Sequence, residues 1–67
     1  METRYLNTLV ASVEAGTFSK AAEILHITQS AVSQRVKMLE ESAGQILVTR
    51  TLPPAATEAG LILLSHY

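Results

Sequence analysis

Ser19-Lys20-Ala21-Ala22-Glu23-Ile24-Leu25-His26-Ile27-Thr28-Gln29-Ser30-Ala31-Val32-Ser33-Gln34-Arg35-Val36-Lys37-Met38-Leu39 is the stretch that decides the fold of this 67-residue chain. Ser19 is suited to cap a short helix running through Leu25, because its hydroxyl can accept from the free N–H groups of the following turn. Thr28 offers the same cap to a longer helix from Gln29 to about Ser42, in which Val32, Val36 and Leu39 recur at helical spacing. Only His26 and Ile27 stand between. Ala22 is small enough to let the two helices cross closely, while Leu25, Ile27 and Val32 pin the turn and the second helix. His26 occupies the place where such turns often carry Gly, and His is among the residues that tolerate the left-handed region. Two capped helices joined this tightly make a helix-turn-helix, although an ordinary helical hairpin would bury the same residues.

Upstream, Leu6, Leu9, Val10 and Val13 form an apolar stripe over Thr3–Ala15, which predicts a first helix stopped by Gly16. Phe18 is expected to pack under the second helix. Downstream of Gly44, which ends the third, Ile46-Leu47-Val48-Thr49 is short and β-branched and favours a strand. Leu52-Pro53-Pro54 cannot be helical and reads as a loop tip, with a second extended stretch at Ala55–Ala56 completing a small β-wing. Thr57 then caps a fourth helix, with Glu58 in its first turn, that continues through Leu61-Ile62-Leu63-Leu64 towards Tyr67. The predicted class is mainly α: a winged helix-turn-helix with a three-helix core, a small β-wing and the start of a linker helix. Residues 1–57 form the winged unit and 58–67 the start of a linker or dimerisation helix.

Composition narrows the function. At 48% apolar and 16% charged residues the chain is too hydrophobic to be disordered. It has no Cys, which excludes disulfides and thiolate metal sites and fits a reducing cytoplasm. No signal peptide is visible, and the longest apolar run, Leu61–Leu64, falls far short of the roughly 20 residues that span a bilayer. His26 and His66 have no partners to complete a metal set. No nucleophile–base pair or phosphate loop is present, so neither catalysis nor a cofactor is expected.

With Val32, Val36 and Leu39 turned inward, the third helix presents Gln29, Ser30, Ser33, Gln34 and Lys37 outward. Gln can pair with adenine, Ser can donate or accept, and Lys can reach guanine or phosphate, so these types suit a major-groove helix. A merely solvated polar face is the plain alternative, but such a face usually mixes Glu with Lys. Here no acid stands between Glu23 and Glu40, although the net charge of the whole chain is −1. That balance predicts weak electrostatic affinity from a single domain.

From Leu6 to Gly60 the chain resembles the N-terminal domain of LysR-type transcriptional regulators. The resemblance is carried by Gly16-Thr17-Phe18-Ser19-Lys20-Ala21-Ala22, by Leu25-His26-Ile27-Thr28-Gln29-Ser30-Ala31-Val32-Ser33, by Leu39-Glu40 and by Thr57-Glu58-Ala59-Gly60. Ile27–Lys37 and the wing Val48–Pro54 are most similar to the subgroup controlling export of lysine and arginine. The resemblance implies sequence-specific binding of double-stranded DNA, with the recognition helix 28–41 in the major groove and the wing 47–57 on the backbone and minor groove. Gln29, Ser30, Ser33 and Gln34 match the base-reading positions, and Thr28 and Lys37 positions near phosphates. Arg50 would anchor a phosphate, with a structural ion pair as its alternative role, and the tip formed by Thr51, Pro53 and Pro54 would approach the minor groove. Many members carry Pro at the position of Ser30 and Arg at that of Gln34, which implies a different base preference here. The lack of a basic residue near Ala55 implies a weaker wing contact. The resemblance also implies a longer regulator that dimerises through the fourth helix and senses a small-molecule effector, a basic amino acid being one candidate, in a C-terminal domain outside this chain. Leu61, Ile62 and Leu64 are expected to be partly exposed, which fits such self-association. The competing reading is a protein-interaction or dimerisation module on a winged-helix scaffold.

Overall fold

The computed structural model describes residues 3–66. It contains four helices, α1 (Thr3–Ala15), α2 (Phe18–Leu25), α3 (Gln29–Ala43) and α4 (Glu58–Ser65). The first three pack on one another in pairs. The core has two parts. Leu9, Val36, Leu39, Leu47 and Val48 form one, Ala21, Ala22 and Val32 the other, and Phe18 packs against both.

The buried face of α1 differs from the expected stripe. Leu9 is fully buried, but so are Thr8 and Ser12, while Leu6, Val10 and Val13 are only half-buried. The two hydroxyls are tolerated because each donates to a carbonyl one turn back, Thr8 to Arg4 O at 2.8 Å and Ser12 to Thr8 O at 2.8 Å. Small side chains here let α1 approach the other two helices closely.

Thr17, not Ser19, caps α2. Gly16 turns the chain at φ 85, Thr17 is extended, and the Thr17 hydroxyl accepts from Lys20 N at 2.9 Å. Ser19 therefore lies inside the first turn. The turn after α2 places His26 at φ 58 and ψ 41, the left-handed conformation expected of it. Ile27 N donates to Ala22 O at 3.0 Å, closing the helix end in the manner of a Schellman motif. The small Ala22 at the crossing is buried, and of the three expected pins Val32 is buried while Leu25 and Ile27 are half-buried. Thr28 caps α3 through Ala31 N at 3.0 Å, and Gly44, at φ 71, ends it.

The expected strand at Ile46–Thr49 is reduced to one antiparallel bridge, Val48 with Ala56. Hydrogen bonds from Thr49 N to Ala55 O (2.8 Å) and from Thr57 N to Leu47 O (3.0 Å) flank it. The reason lies on α3. Leu47 N and Val48 N donate to the Glu40 carboxylate at 2.9 and 3.3 Å, so these amides are not available to a longer ladder. Thr57 caps α4 as expected, accepting from Gly60 N at 3.1 Å and donating to Ile46 O at 2.6 Å. Gly60 presses on the wing: a Cβ there would lie 2.1 Å from Leu47 O. Leu61 and Ile62 face solvent, Leu64 is half-buried, and Tyr67 lies outside the described residues.

Candidate nucleic-acid interface

Because Val32, Val36 and Leu39 are drawn into the core, the opposite face of α3 is forced outward. Gln29, Ser30, Ser33, Gln34 and Lys37 are all exposed and together line one shallow concavity. Among the described residues its walls hold amides, hydroxyls and one ammonium, and no acid. Thr28 is also exposed, at the lip of the helix. Its hydroxyl oxygen is taken by Ala31 N, and the hydroxyl hydrogen is left as a donor. The sequence-derived α3 residues are thus brought together.

The wing residues divide. Arg50, Thr51 and Pro53 are exposed, whereas Pro54 is buried, so Pro54 cannot serve as part of a tip that enters a groove. The Leu52–Pro53 peptide bond is cis. Leu52, 81% exposed, takes the outermost place instead. The loop is held from within. Ala55 N donates to Thr49 Oγ1 at 2.9 Å, and the Thr51 hydroxyl donates to Pro53 O at 2.9 Å. With the Thr51 hydrogen so engaged, Thr49 is the donor in the 2.8 Å contact between the two hydroxyls.

Arg50 is a structural partner first. Its Nη2 lies 2.6 Å from Glu40 Oε1, and its Nη1 donates to Val48 O at 2.8 Å and to Glu40 Oε2 at 3.3 Å. The guanidinium carbon also sits 5.7 Å from the centroid of the Phe18 ring. A guanidinium has five N–H donors, so Nε–H and one Nη2 hydrogen remain for another acceptor. The side chain is 48% exposed.

Glu40 is the residue that the sequence reading missed as a functional support. It is 7% exposed and binds α3 to the wing through Leu47 N, Val48 N and Arg50. Burial pushes its carboxyl pKa up, but the Arg50 hydrogen bond, the two backbone N–H groups and the Arg50 charge together hold it below the ordinary range. A signal was present: Glu40 falls four residues after Val36, on the inward row of α3.

A second concavity, between wing and α2, is lined by Thr17, Ser19, Gln29, Thr49, Arg50 and Leu52 among others. Gln29 belongs to both concavities, so the wing and the exposed face of α3 are continuous. Among the described residues no group of His, Cys, Asp or Glu could hold a metal ion, and no helix is long and apolar enough to cross a membrane.

A tightly turned α2–α3 pair with a wing beside it defines a winged helix-turn-helix domain. Residues 3–61 match the family described as bacterial regulatory helix-turn-helix protein, lysR family, and the chain belongs to that family. The family is one of transcription regulators, not enzymes. The HTH-type transcriptional regulator LysG of Mycobacterium bovis is 58% identical over 59 residues, which is 88% of this chain and 20% of that protein. Full-length LysG from Corynebacterium glutamicum with bound effector Arg is 47% identical and superposes with a TM-score of 0.94, covering 98% of this chain and 23% of that one. The DNA-binding domain of BenM in complex with benA site 1 DNA is 37% identical with a TM-score of 0.90, covering 98% of this chain and 75% of that one. The similarity to LysG agrees with the lysine and arginine subgroup that the sequence resembles. The chain spans about a fifth of the length of the curated relatives it matches.

Proposed function

We propose that the chain is the DNA-reading domain of a LysR-type transcription regulator and binds duplex DNA through α3 and the wing. The observation that carries this reading is the acid-free, exposed row Gln29, Ser30, Ser33, Gln34 and Lys37. The likeness to a domain solved on DNA supports it. Gln29, Ser30, Ser33 and Gln34 read base edges in the major groove, and Thr28 and Lys37 take phosphates beside it. Arg50 uses its two remaining N–H groups on a backbone phosphate while Glu40 holds its other edge. Thr51 and Pro53, with Leu52 between them, approach the minor groove.

In the whole regulator, residues 58–67 begin a linker helix through which two copies pair, so that two recognition helices reach half-sites one helical turn or a multiple apart. The exposed Leu61 and Ile62 support that pairing. A small-molecule effector is bound by a domain outside this chain, and the arginine in the Corynebacterium LysG structure favours a basic amino acid. The regulator works in the cytoplasm, where its DNA is.

Selection of bound duplexes from a random pool tests the reading. The parent chain should enrich one motif. Gln29→Ala or Ser33→Ala should lose about 1–3 kcal/mol on it and relax preference at a single base pair. A pool that emerges unenriched, or variants with unaltered preference, would remove α3 as the reading element.

A further inference from the structure

The recognition concavity is continuous with a neighbour on each side. Gln29 links it to the wing, and Gln34 links it to a third concavity between α1 and α3, lined by Arg4, Tyr5, Ala31, Gln34, Arg35 and Met38. Among the described residues none of the three has an acid in its walls; Glu40 and Glu41 line a separate concavity that meets the recognition face at Lys37. The major groove is about 12 Å wide, whereas the domain measures 25 × 23 × 18 Å. With α3 seated in the groove, protein on both sides of the helix overlies the two phosphate strands that border it. The wing covers one.

We infer that the Arg4–Arg35 concavity is a second contact with the DNA backbone, taking phosphate on the side of α3 away from the wing. The inference rests on the DNA-binding reading above. Arg35 carries it. Its side chain is half-buried, and among the described residues it has no carboxylate partner; its hydrogen bond is to the hydroxyl of Thr8, from Nη1 at 3.5 Å. Thr8 is fully buried and donates its own hydrogen to Arg4 O, so the oxygen facing Arg35 is fixed in place. One nitrogen of the guanidinium is therefore steadied against α1, and four of its five donors stay uncommitted beside Gln34. Arg50 differs: its charge is matched by Glu40. An unmatched, pre-positioned guanidinium is what phosphate recognition requires. Arg4, exposed on the first turn of α1, lines the same wall.

The test is a salt titration of binding, by fluorescence anisotropy, with the selected duplex and a scrambled one. Arg35→Gln should lower the slope of log K against log salt by about 0.9. It should weaken binding to both duplexes by the same factor. Arg35→Lys, which keeps the charge, should retain the parent slope. Thr8→Val keeps the buried volume but frees Arg35, and should weaken binding with the slope retained. A duplex with one methylphosphonate on the strand bordering the groove away from the wing supplies the second readout. Its neutral linkage should weaken the parent chain and leave Arg35→Gln unaffected. An unchanged slope in a folded Arg35→Gln chain, or equal sensitivity of parent and variant to the neutral linkage, overturns the inference while the DNA-binding reading stands. Failure of the parent chain to bind either duplex at low salt overturns both.

Discussion

Arg50 and Glu40 carry the two predictions that belong to single residues. In Arg50→Ala, the loss of a phosphate contact should weaken all duplexes alike and lower the salt slope by about one. Anisotropy titrations at several salt concentrations check this, and an unchanged slope would reduce Arg50 to its structural pairing. The same substitution leaves a buried carboxylate short of a donor. That costs about 1–3 kcal/mol, diminished by solvent screening because half of the arginine side chain reaches water. The pH dependence follows from Glu40. Its folded pKa lies below the ordinary glutamate value of 4.5, so the unfolded chain binds the proton more readily. The stability that Glu40 contributes is present in full above 4.5 and is lost as pH falls through the lower folded value. Urea midpoints should therefore decline in that acid window, and more gently in Glu40→Gln. Parallel acid limbs for the two chains would show that Glu40 is not the responsible group. Binding residues were legible from the sequence because a helix converts spacing into direction: once Val32, Val36 and Leu39 are inside, Gln29, Ser33 and Gln34 must be outside. Pro54 was not, since a loop has no such period to convert spacing into burial.

At the scale of elements, the same contrast separates what propensity decides from what tertiary contact decides. α1 ends, α3 begins and ends, and α4 begins where the caps and glycines place them, because Thr28, Thr57, Gly16 and Gly44 act on their own backbone neighbours. The start of α2 moved to Thr17, as two hydroxyl residues, Thr17 and Ser19, competed for one cap and the turn at Gly16 favoured the earlier. The strand at Ile46–Thr49 shrank to a bridge because a side chain from another element, Glu40, claimed its amides. No local pattern announces that. The close approach of α4 to the wing was equally hidden, since Gly60 looks like an ordinary glycine in a helix. Gly60→Ala should be destabilising despite its gain in helix propensity. The new methyl would meet the Leu47 carbonyl, a backbone atom that cannot swing aside. Overpacking of this kind costs about 1–3 kcal/mol, and equilibrium urea unfolding would measure it. A stabilised variant would contradict the packing of α4 on the wing.

For the whole molecule, the net charge of −1 looks unfavourable for a DNA-binding protein. The fold resolves the conflict by sorting the charges. Glu40 is buried and matched by Arg50, and among the described residues the three concavities joined through Gln29 and Gln34 have Lys37, Arg35, Arg4 and Arg50 in their walls and no acid. Attraction is thus local, and affinity should fall steeply with salt although the domain as a whole is slightly acidic. The same arrangement separates DNA binding from the competing role as a protein-interaction module, which would draw on the apolar surface of Leu61 and Ile62 instead. The decisive measurement is a titration of the isotopically labelled chain with the selected duplex at low salt, followed through its amide NMR signals. Shifts should cluster on residues 28–37 and 50–52. If residues 28–37 stayed unmoved while changes gathered on 61–66, the exposed face of α3 would not be where this protein meets its partner.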